Sequence, residues 1–125
     1  QWRPNLHVQD AADIFIQALF IADEALSKHR IYNVGMSSNN LTIDEMAEIA
    51  KRVVPNSLAE KNAEATDKRN YRVDFSRLKE VFNVTQFRSV EDGAREVLSM
   101  LERGVIHNFE DDIYYNAKYL YRDAK

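Results

Sequence analysis

A chain of 125 residues is long enough for one domain, and its composition, 45% hydrophobic and 30% charged, is ordinary for a folded protein. Its 17 basic and 20 acidic side chains leave a net charge of −3, which argues against a protein that binds nucleic acid or anionic membranes through bulk charge. Cysteine is absent, which excludes disulfides and thiolate metal sites and favours a cytoplasmic location, and no apolar run approaches the roughly 20 residues that span a bilayer.

The first predicted element is a strand at residues 6–8, which the chain reaches a few residues after Gln1. Because the sequence does not begin with Met and no leader precedes this strand, we expect the chain to be part of a longer protein. Asp10 follows as the predicted N-cap of a helix that runs to about residue 28.

The helix predicted at residues 10–28 is apolar on almost every side. Its apolar rows are Ile14, Ala18, Ile21 and Ala25; Phe15, Leu19, Ala22 and Leu26; and Ile16 with Phe20. A surface helix is normally polar over about half of its circumference. The pattern therefore predicts either the central helix of the domain or a helix that packs against a partner outside this chain, and we expect the isolated chain to self-associate.

Residues 31–35 form the second predicted strand, which is short and buried, ends at Gly35, and is expected to lie at an unpaired sheet edge. A polar loop separates it from a helix with a clear N-terminal signal. Thr42 and Glu45 fit a capping box, in which each side chain bonds the backbone amide of the other residue. Pro55 ends this helix.

Residues 57–66 could form a strand or an extended loop, and a switch from strand to helix follows them. Val73 and Phe75 alternate with charged residues, which is the period of a half-buried strand. Asp74 stands at the N-cap position of a short helix predicted at residues 76–82.

The C-terminal part of the sequence is predicted to be helical. Ser89 is the expected N-cap of one helix, with Asp92 at its third position, and Gly104 is its expected C-terminal stop. A tyrosine-rich tail at residues 108–122 is the last predicted helix.

The basic and aromatic stretch at residues 67–76 is the strongest candidate for a site. The forked donors of arginine match two phosphate oxygens at once, so Arg69, together with Arg3, could bind a phosphate or diphosphate. Asp67 could accept a hydrogen bond from a sugar hydroxyl, and Tyr71 could add a donor or a ring face. An ordinary charged surface loop is the alternative that these residues leave open.

A complete catalytic site is not apparent in the sequence. The glycines Gly35, Gly93 and Gly104 are isolated from one another, and the histidines His7, His29 and His107 fall in separate predicted elements. The chain therefore has neither a glycine-rich phosphate loop nor a histidine pair at metal-ligand spacing. We assign no catalytic, cofactor-binding or metal-binding residue.

Three segments occur in the order and at the spacings of a known family. Arg3, His7, Val8 and Asp10 fit Arg-x-x-x-His-Val-x-Asp, residues 31–35 read Ile-Tyr-Asn-Val-Gly, and Asp67, Tyr71, Asp74 and Ser76 fit Asp-x-x-x-Tyr-x-x-Asp-x-Ser. Over residues 1–103 the chain resembles the extended short-chain dehydrogenases, the nucleotide-sugar epimerases and dehydratases that use NAD or NADP.

The resemblance implies an α/β fold, namely the C-terminal part of a Rossmann-type protein with its small, helix-rich substrate-binding domain. It implies that Arg3 and Arg69 contact the diphosphate of a nucleoside diphosphate sugar, that Asp67 lies near the ribose and that Tyr71 supports the phosphate site. The glycine-rich loop and the catalytic Tyr-x-x-x-Lys pair of the family precede this region. NAD or NADP would therefore bind only in a longer parent with an N-terminal Rossmann domain.

Departures from the family pattern limit what the resemblance implies. Glu64 stands where some epimerases carry a phosphate-binding arginine, so Arg69 would take that role and the identity of the sugar is open. Residues 104–125 match nothing in the family. The competing prediction is a non-enzymatic binding or interaction module that keeps the family scaffold without the cofactor half.

Overall fold

The computed structural model describes residues 1–29, 31–61 and 69–115. These residues form a small, helix-rich α/β arrangement with a two-stranded sheet. The chain divides into two compact units, Gln1–Arg95 and Glu96–Lys125. The described elements are β1 (Trp2–Pro4), α1 (Val8–Ala18), α2 (Asp23–Ser27), β2 (Asn40–Thr42), α3 (Ile43–Val53), α4 (Ser76–Val81) and α5 (Val90–Glu102). Among these residues, no helix is long and apolar enough to cross a membrane.

The sheet pairs β1 with β2 in antiparallel register, with Trp2 opposite Thr42 and Pro4 opposite Asn40. The strand predicted at residues 6–8 is wrong, because α1 already begins at Val8. His7 is the N-cap of α1, since its Nδ1 accepts a hydrogen bond of 3.2 Å from the Gln9 amide. The strand lies at the start of the chain instead, where Pro4, which has no amide to donate, occupies its last position.

The single helix predicted at residues 10–28 is two helices, α1 and α2, separated by a turn. Asp10 is also not the N-cap. It is buried in the first turn of α1, where one carboxylate oxygen accepts a 2.7 Å hydrogen bond from the Arg88 amide and the other accepts from the Arg88 guanidinium. Asp10 therefore serves a contact between distant segments, and that contact could not be read from the neighbouring residues.

The capping box of α3 is confirmed. The Thr42 hydroxyl accepts from the Glu45 amide at 3.1 Å, and the Glu45 carboxylate accepts from the Thr42 amide at 2.7 Å. The helix ends at Val53, before Pro55, as predicted. The boundaries of α3 are therefore set by signals within its own sequence.

The buried strand predicted at residues 31–35 is wrong as a strand, because this segment is extended but joins no sheet. Ile31 at its start is 72% exposed. Gly35 at its end is needed for close packing, since its φ is +149° and a Cβ there would lie 2.7 Å from Cε1 of Phe75. Residues 31–35 are thus held by packing rather than by strand pairing.

The predicted strand at residues 73–75 is also absent as an element, although its burial pattern survives. Phe75 is buried and Asp74 is exposed, and α4 then begins at Ser76. Phe75 occupies the N-cap position, but Asp74 still accepts a 3.0 Å hydrogen bond from the Ser76 amide. Asp74 therefore stabilises the start of α4 from one position earlier than a standard cap.

The start and stop signals of α5 are confirmed. The Ser89 hydroxyl accepts from the Asp92 amide at 3.1 Å, and the Asp92 carboxylate accepts from the Ser89 amide at 2.7 Å. Gly104, with φ of +66°, follows the end of the helix. These residues form a second capping box and a left-handed C-terminal stop.

The final helix predicted at residues 108–122 is wrong over the described part, which contains a single 3₁₀ turn at Asp112–Tyr114. The Asn108 side chain accepts from the Glu110 amide at 3.1 Å and donates to the Asp111 carboxylate at 2.7 Å. Such side-chain bonds give the backbone a turn as an alternative to helix. Residues 116–122 lie outside the described residues.

The hydrophobic core of the first unit lies between α1 and α4. Its buried members are Ile14, Leu78, Phe82 and Phe87. Ile14 covers this core from one side of α1. The other side of α1 and the turn after it expose large apolar side chains, with Phe15 at 75%, Leu19 at 80% and Phe20 at 85%. The uneven burial favours the second of the two sequence-based interpretations, a helix that packs against something outside this chain.

We predict that the exposed face of α1 makes the isolated chain self-associate. Burial of one such side chain contributes about 1.5–3 kcal/mol. Leu19→Glu should lower the average mass measured by light scattering at high concentration, whereas Gln86→Glu, which adds the same charge at an exposed position, should leave it unchanged. A wild-type chain that is monomeric at high concentration would refute the prediction.

A second prediction concerns the capping box of α3 and how the free energy of unfolding depends on pH. Hydrogen bonds from the Thr42 amide and hydroxyl lower the pKa of the Glu45 carboxyl. Because this pKa is depressed in the folded state, the stabilisation is present above the unfolded value of about 4.3 and is lost as pH falls through the folded value. Urea unfolding between pH 7 and pH 3 should show a smaller loss of stability in Glu45→Gln than in the wild type. Equal losses would contradict this assignment.

Candidate functional site

Two of the predicted site residues, Arg3 and Arg69, lie against each other although 66 positions separate them. Arg3 lies on β1, and its Nη1 donates to the carbonyl oxygens of Arg69 and, at 2.8 Å, of Trp2. Its Nη2 lies 3.3 Å from Oε1 of Gln1. The Arg3 guanidinium thus ties the backbone at Arg69 to the first strand.

Two further contacts hold the same segment to β1 through Trp2. The Trp2 amide donates to Oδ1 of Asn70 at 2.8 Å. The guanidinium carbon of Arg72 lies 3.5 Å from the centroid of the Trp2 ring, which is a cation–π contact. Residues 69–72 are therefore fixed at three positions by side chains and backbone of residues 2 and 3.

Asn40 on β2 fixes the next part of the segment. Its Nδ2 donates to the Val73 carbonyl and its Oδ1 accepts from the Val73 amide, both at 3.0 Å. Asn40 is buried and Val73 is partly buried, so this pair of bonds is partly shielded from water. One residue later, Nδ2 of Asn33 donates to the Asp74 carbonyl at 3.2 Å. The side-chain amides of Asn40 and Asn33 therefore form hydrogen bonds to the backbone of residues 73 and 74, as a neighbouring strand would in a sheet.

Tyr71 and Asp67 are the two remaining predicted site residues, and the structure describes only Tyr71. Tyr71 lies in the fixed segment between the contacts of Asn70 and Arg72, and it is 46% exposed, so its phenol is accessible to a ligand. Asp67 lies outside the described residues. The structure therefore brings Arg3, Arg69 and Tyr71 onto one segment and its anchoring strand.

Three pockets among the described residues border the segment at residues 72–75. One of about 190 Å³ is lined by Pro4, Asn5, Leu6, Asn33, Val34, Val73 and Phe75. A second of about 400 Å³ is lined by Ser37, Asn40, Arg72, Val73 and Asp74, and a third of about 280 Å³ by Ile31, Asn33, Asp74, Phe75 and Arg77. These pockets adjoin residues 72–75 of the predicted stretch, and none of the three is lined by Arg3, Arg69 or Tyr71.

The charge around these pockets is mixed. The Ser76 hydroxyl and amide both donate to Asp74 and lower the pKa of its carboxyl, so Asp74 is negatively charged at neutral pH. Asp74 lines the same pockets as Arg72 and Arg77. A phosphate in either pocket would therefore meet both attraction and repulsion.

Sequence reasoning did not identify Trp2 and Asn40 as residues that shape the site. The only signal at Trp2 was its place beside Arg3, and Asn40 was read as part of a polar loop. Their roles depend on contacts with residues 30 or more positions away. Composition and periodicity carry no information about such contacts.

Comparisons with known proteins add no further identification. No family model matches the chain, and no solved structure matches it significantly. Within the described residues, no group of three or more histidines, cysteines and acids is placed to hold a metal ion. The relation to extended short-chain dehydrogenases therefore stays a prediction based on the three sequence segments.

We predict that replacing Asn40 lowers the stability of the protein, because its side chain forms two hydrogen bonds with the Val73 backbone. Asn40→Ala would leave the partly buried Val73 amide and carbonyl without their protein partners, at about 1 kcal/mol or more for each group. Urea unfolding should therefore show a loss of at least about 2 kcal/mol. Asn33→Ala removes one bond at an exposed position and should cost less, about 0.5–1.5 kcal/mol. Equal costs for the two variants would show that Asn40 has no special role.

Proposed function

We propose that this chain is the nucleotide-sugar-binding C-terminal region of an NAD- or NADP-dependent epimerase or dehydratase, located in the cytoplasm. The parent enzyme would oxidise a sugar carbon by hydride transfer to the nicotinamide and then epimerise, eliminate water or reduce. The chain itself would bind and orient the substrate. In the family that the chain resembles, the glycine-rich loop and the catalytic Tyr-x-x-x-Lys pair precede the matching region, so we assign the cofactor to a preceding Rossmann domain.

The observation that carries the proposal is the contact between Arg3 and the backbone of Arg69. Two segments that are far apart in sequence, and that the family resemblance assigns to one diphosphate site, lie together in space. Tyr71 belongs to the same anchored segment and is accessible. This agreement supports a shared site more strongly than either segment alone.

Each residue has a role that its chemistry suits. Arg3 and Arg69 bind the diphosphate, because guanidinium donors form charge-assisted bonds to two oxygens. The Asp67 carboxylate accepts from the ribose hydroxyls. Tyr71 donates its phenol hydrogen to a phosphate oxygen. In the present structure Arg3 donates to backbone carbonyls, so phosphate binding would replace or share those bonds.

The second candidate function is a binding or interaction module without enzyme activity, and the exposed apolar face of α1 is the observation that favours it. The two candidates differ in what the gene encodes before Gln1. An upstream glycine-rich strand–loop–helix would support the enzyme, and its absence would support the module.

We predict that Arg69→Ala in the natural protein weakens binding of a nucleoside diphosphate sugar by about tenfold or more. A hydrogen bond to a charged group contributes about 1.5–3 kcal/mol, and 1.4 kcal/mol corresponds to a factor of ten. Titration calorimetry measures the dissociation constant. The ligands are UDP-glucose, dTDP-glucose and GDP-mannose, which carry three different nucleobases.

The matched control is Arg103→Ala, which removes the same charge from an exposed arginine in the second unit. This variant should bind as the wild type does. Unchanged affinity in Arg69→Ala would exclude Arg69 as a phosphate ligand. Failure of the wild-type protein to bind any of the three sugars would reject the proposed function itself.

A further inference from the structure

We propose that Trp2 and Arg72 are positioning residues of this site: their stack holds the segment of Arg69 and Tyr71 in its binding position. The inference rests on the proposed function and adds to it two residues that would not touch the substrate. It concerns how the site is held in place, and it follows from contacts at the start of the chain.

The contacts of residues 69–72 converge on two neighbouring residues of β1. Arg3 bonds the carbonyl of Arg69, the Trp2 amide bonds the side chain of Asn70, and the Trp2 ring lies under Arg72. Tyr71 is the one residue of the segment without such an anchor, and the proposed function uses its side chain together with that of Arg69. The stack on Arg72 therefore fixes the backbone immediately after Tyr71.

Arg72 is better suited to positioning than to direct binding. Asp74 lines the same pocket of about 400 Å³, so an anion beside Arg72 would meet a carboxylate as well. Arg72 makes no ion pair with a described carboxylate at salt-bridge distance, and its one close aromatic contact is the Trp2 ring at 3.5 Å. Tryptophan is the aromatic side chain that makes the strongest contacts of this kind.

The expected effect is modest and measurable. A cation–π contact at an exposed position contributes about 0.5–1 kcal/mol, which corresponds to about a two- to fivefold change in affinity. Trp2→Leu and Arg72→Ala should each weaken binding of the nucleoside diphosphate sugars by this factor. Both substitutions break the same contact, so their effects on affinity should not multiply. The double variant should bind at most about fivefold more weakly than the wild type.

Trp2→Leu removes no charge, and this makes it the decisive variant. If Arg72 bound the phosphate directly, Arg72→Ala would weaken binding and Trp2→Leu would not. Trp2→Phe keeps an aromatic face and should restore most of the affinity. Arg103→Ala again controls for the loss of a positive charge.

Trp2 is the only tryptophan of the chain, so its fluorescence reports the stack directly. In the 125-residue chain, Arg72→Ala should make Trp2 more accessible to quenching by acrylamide, and Arg103→Ala should not. Affinities are measured in the natural protein, at a temperature where melting curves show every variant folded.

The outcomes separate this inference from the proposed function. Weaker binding in both single variants, non-additivity in the double variant and rescue by phenylalanine support positioning. Unchanged affinity in Trp2→Leu, with a lower melting temperature alone, shows that the stack is merely structural and overturns the inference while the proposed function stands. A wild-type protein that binds none of the sugars overturns both.

Discussion

The pairing of the Asn40 side chain with the Val73 backbone is the constraint on which the candidate site depends. It satisfies one donor and one acceptor of a segment that belongs to no strand, and both bonds are partly buried. Asn40 itself is fixed because it lies on β2, opposite Pro4 of β1. A sheet of two short strands thereby positions a third segment without including it.

The same sheet carries the contacts that act on residues 69–72. Trp2 and Arg3 of β1 reach Asn70, Arg72 and the backbone of Arg69. The anchoring side chains therefore come from both strands, and the segment lies across them as one unit. This arrangement explains how a loop with no ladder of its own can present arginine and tyrosine side chains in a defined place.

Local signals were readable from the sequence, whereas signals that depend on a distant partner were not. The capping boxes at Thr42 and Ser89 involve residues three apart, and both are confirmed. The strand predicted at residues 6–8 is wrong because α1 begins at Val8. The strand predicted at residues 31–35 is wrong because no other strand pairs with this segment. Arg3 and Arg69 were assigned to one diphosphate site through a family resemblance, and that role stays a prediction. The contact between Arg3 and the Arg69 backbone and the Asn40 bonds had no counterpart in the sequence pattern.

Amide hydrogen exchange across residues 72–74, resolved by NMR, tests this account most directly. If the Asn40 side chain holds the segment, the Val73 amide exchanges slowly while the Arg72 and Asp74 amides on either side exchange fast, and Asn40→Ala abolishes the difference. Uniform protection across the three amides would show that the protection of Val73 does not come from the Asn40 side chain alone. Fast exchange at Val73 in the wild-type protein would show that the Asn40 contact does not persist in solution, and the central claim would be wrong.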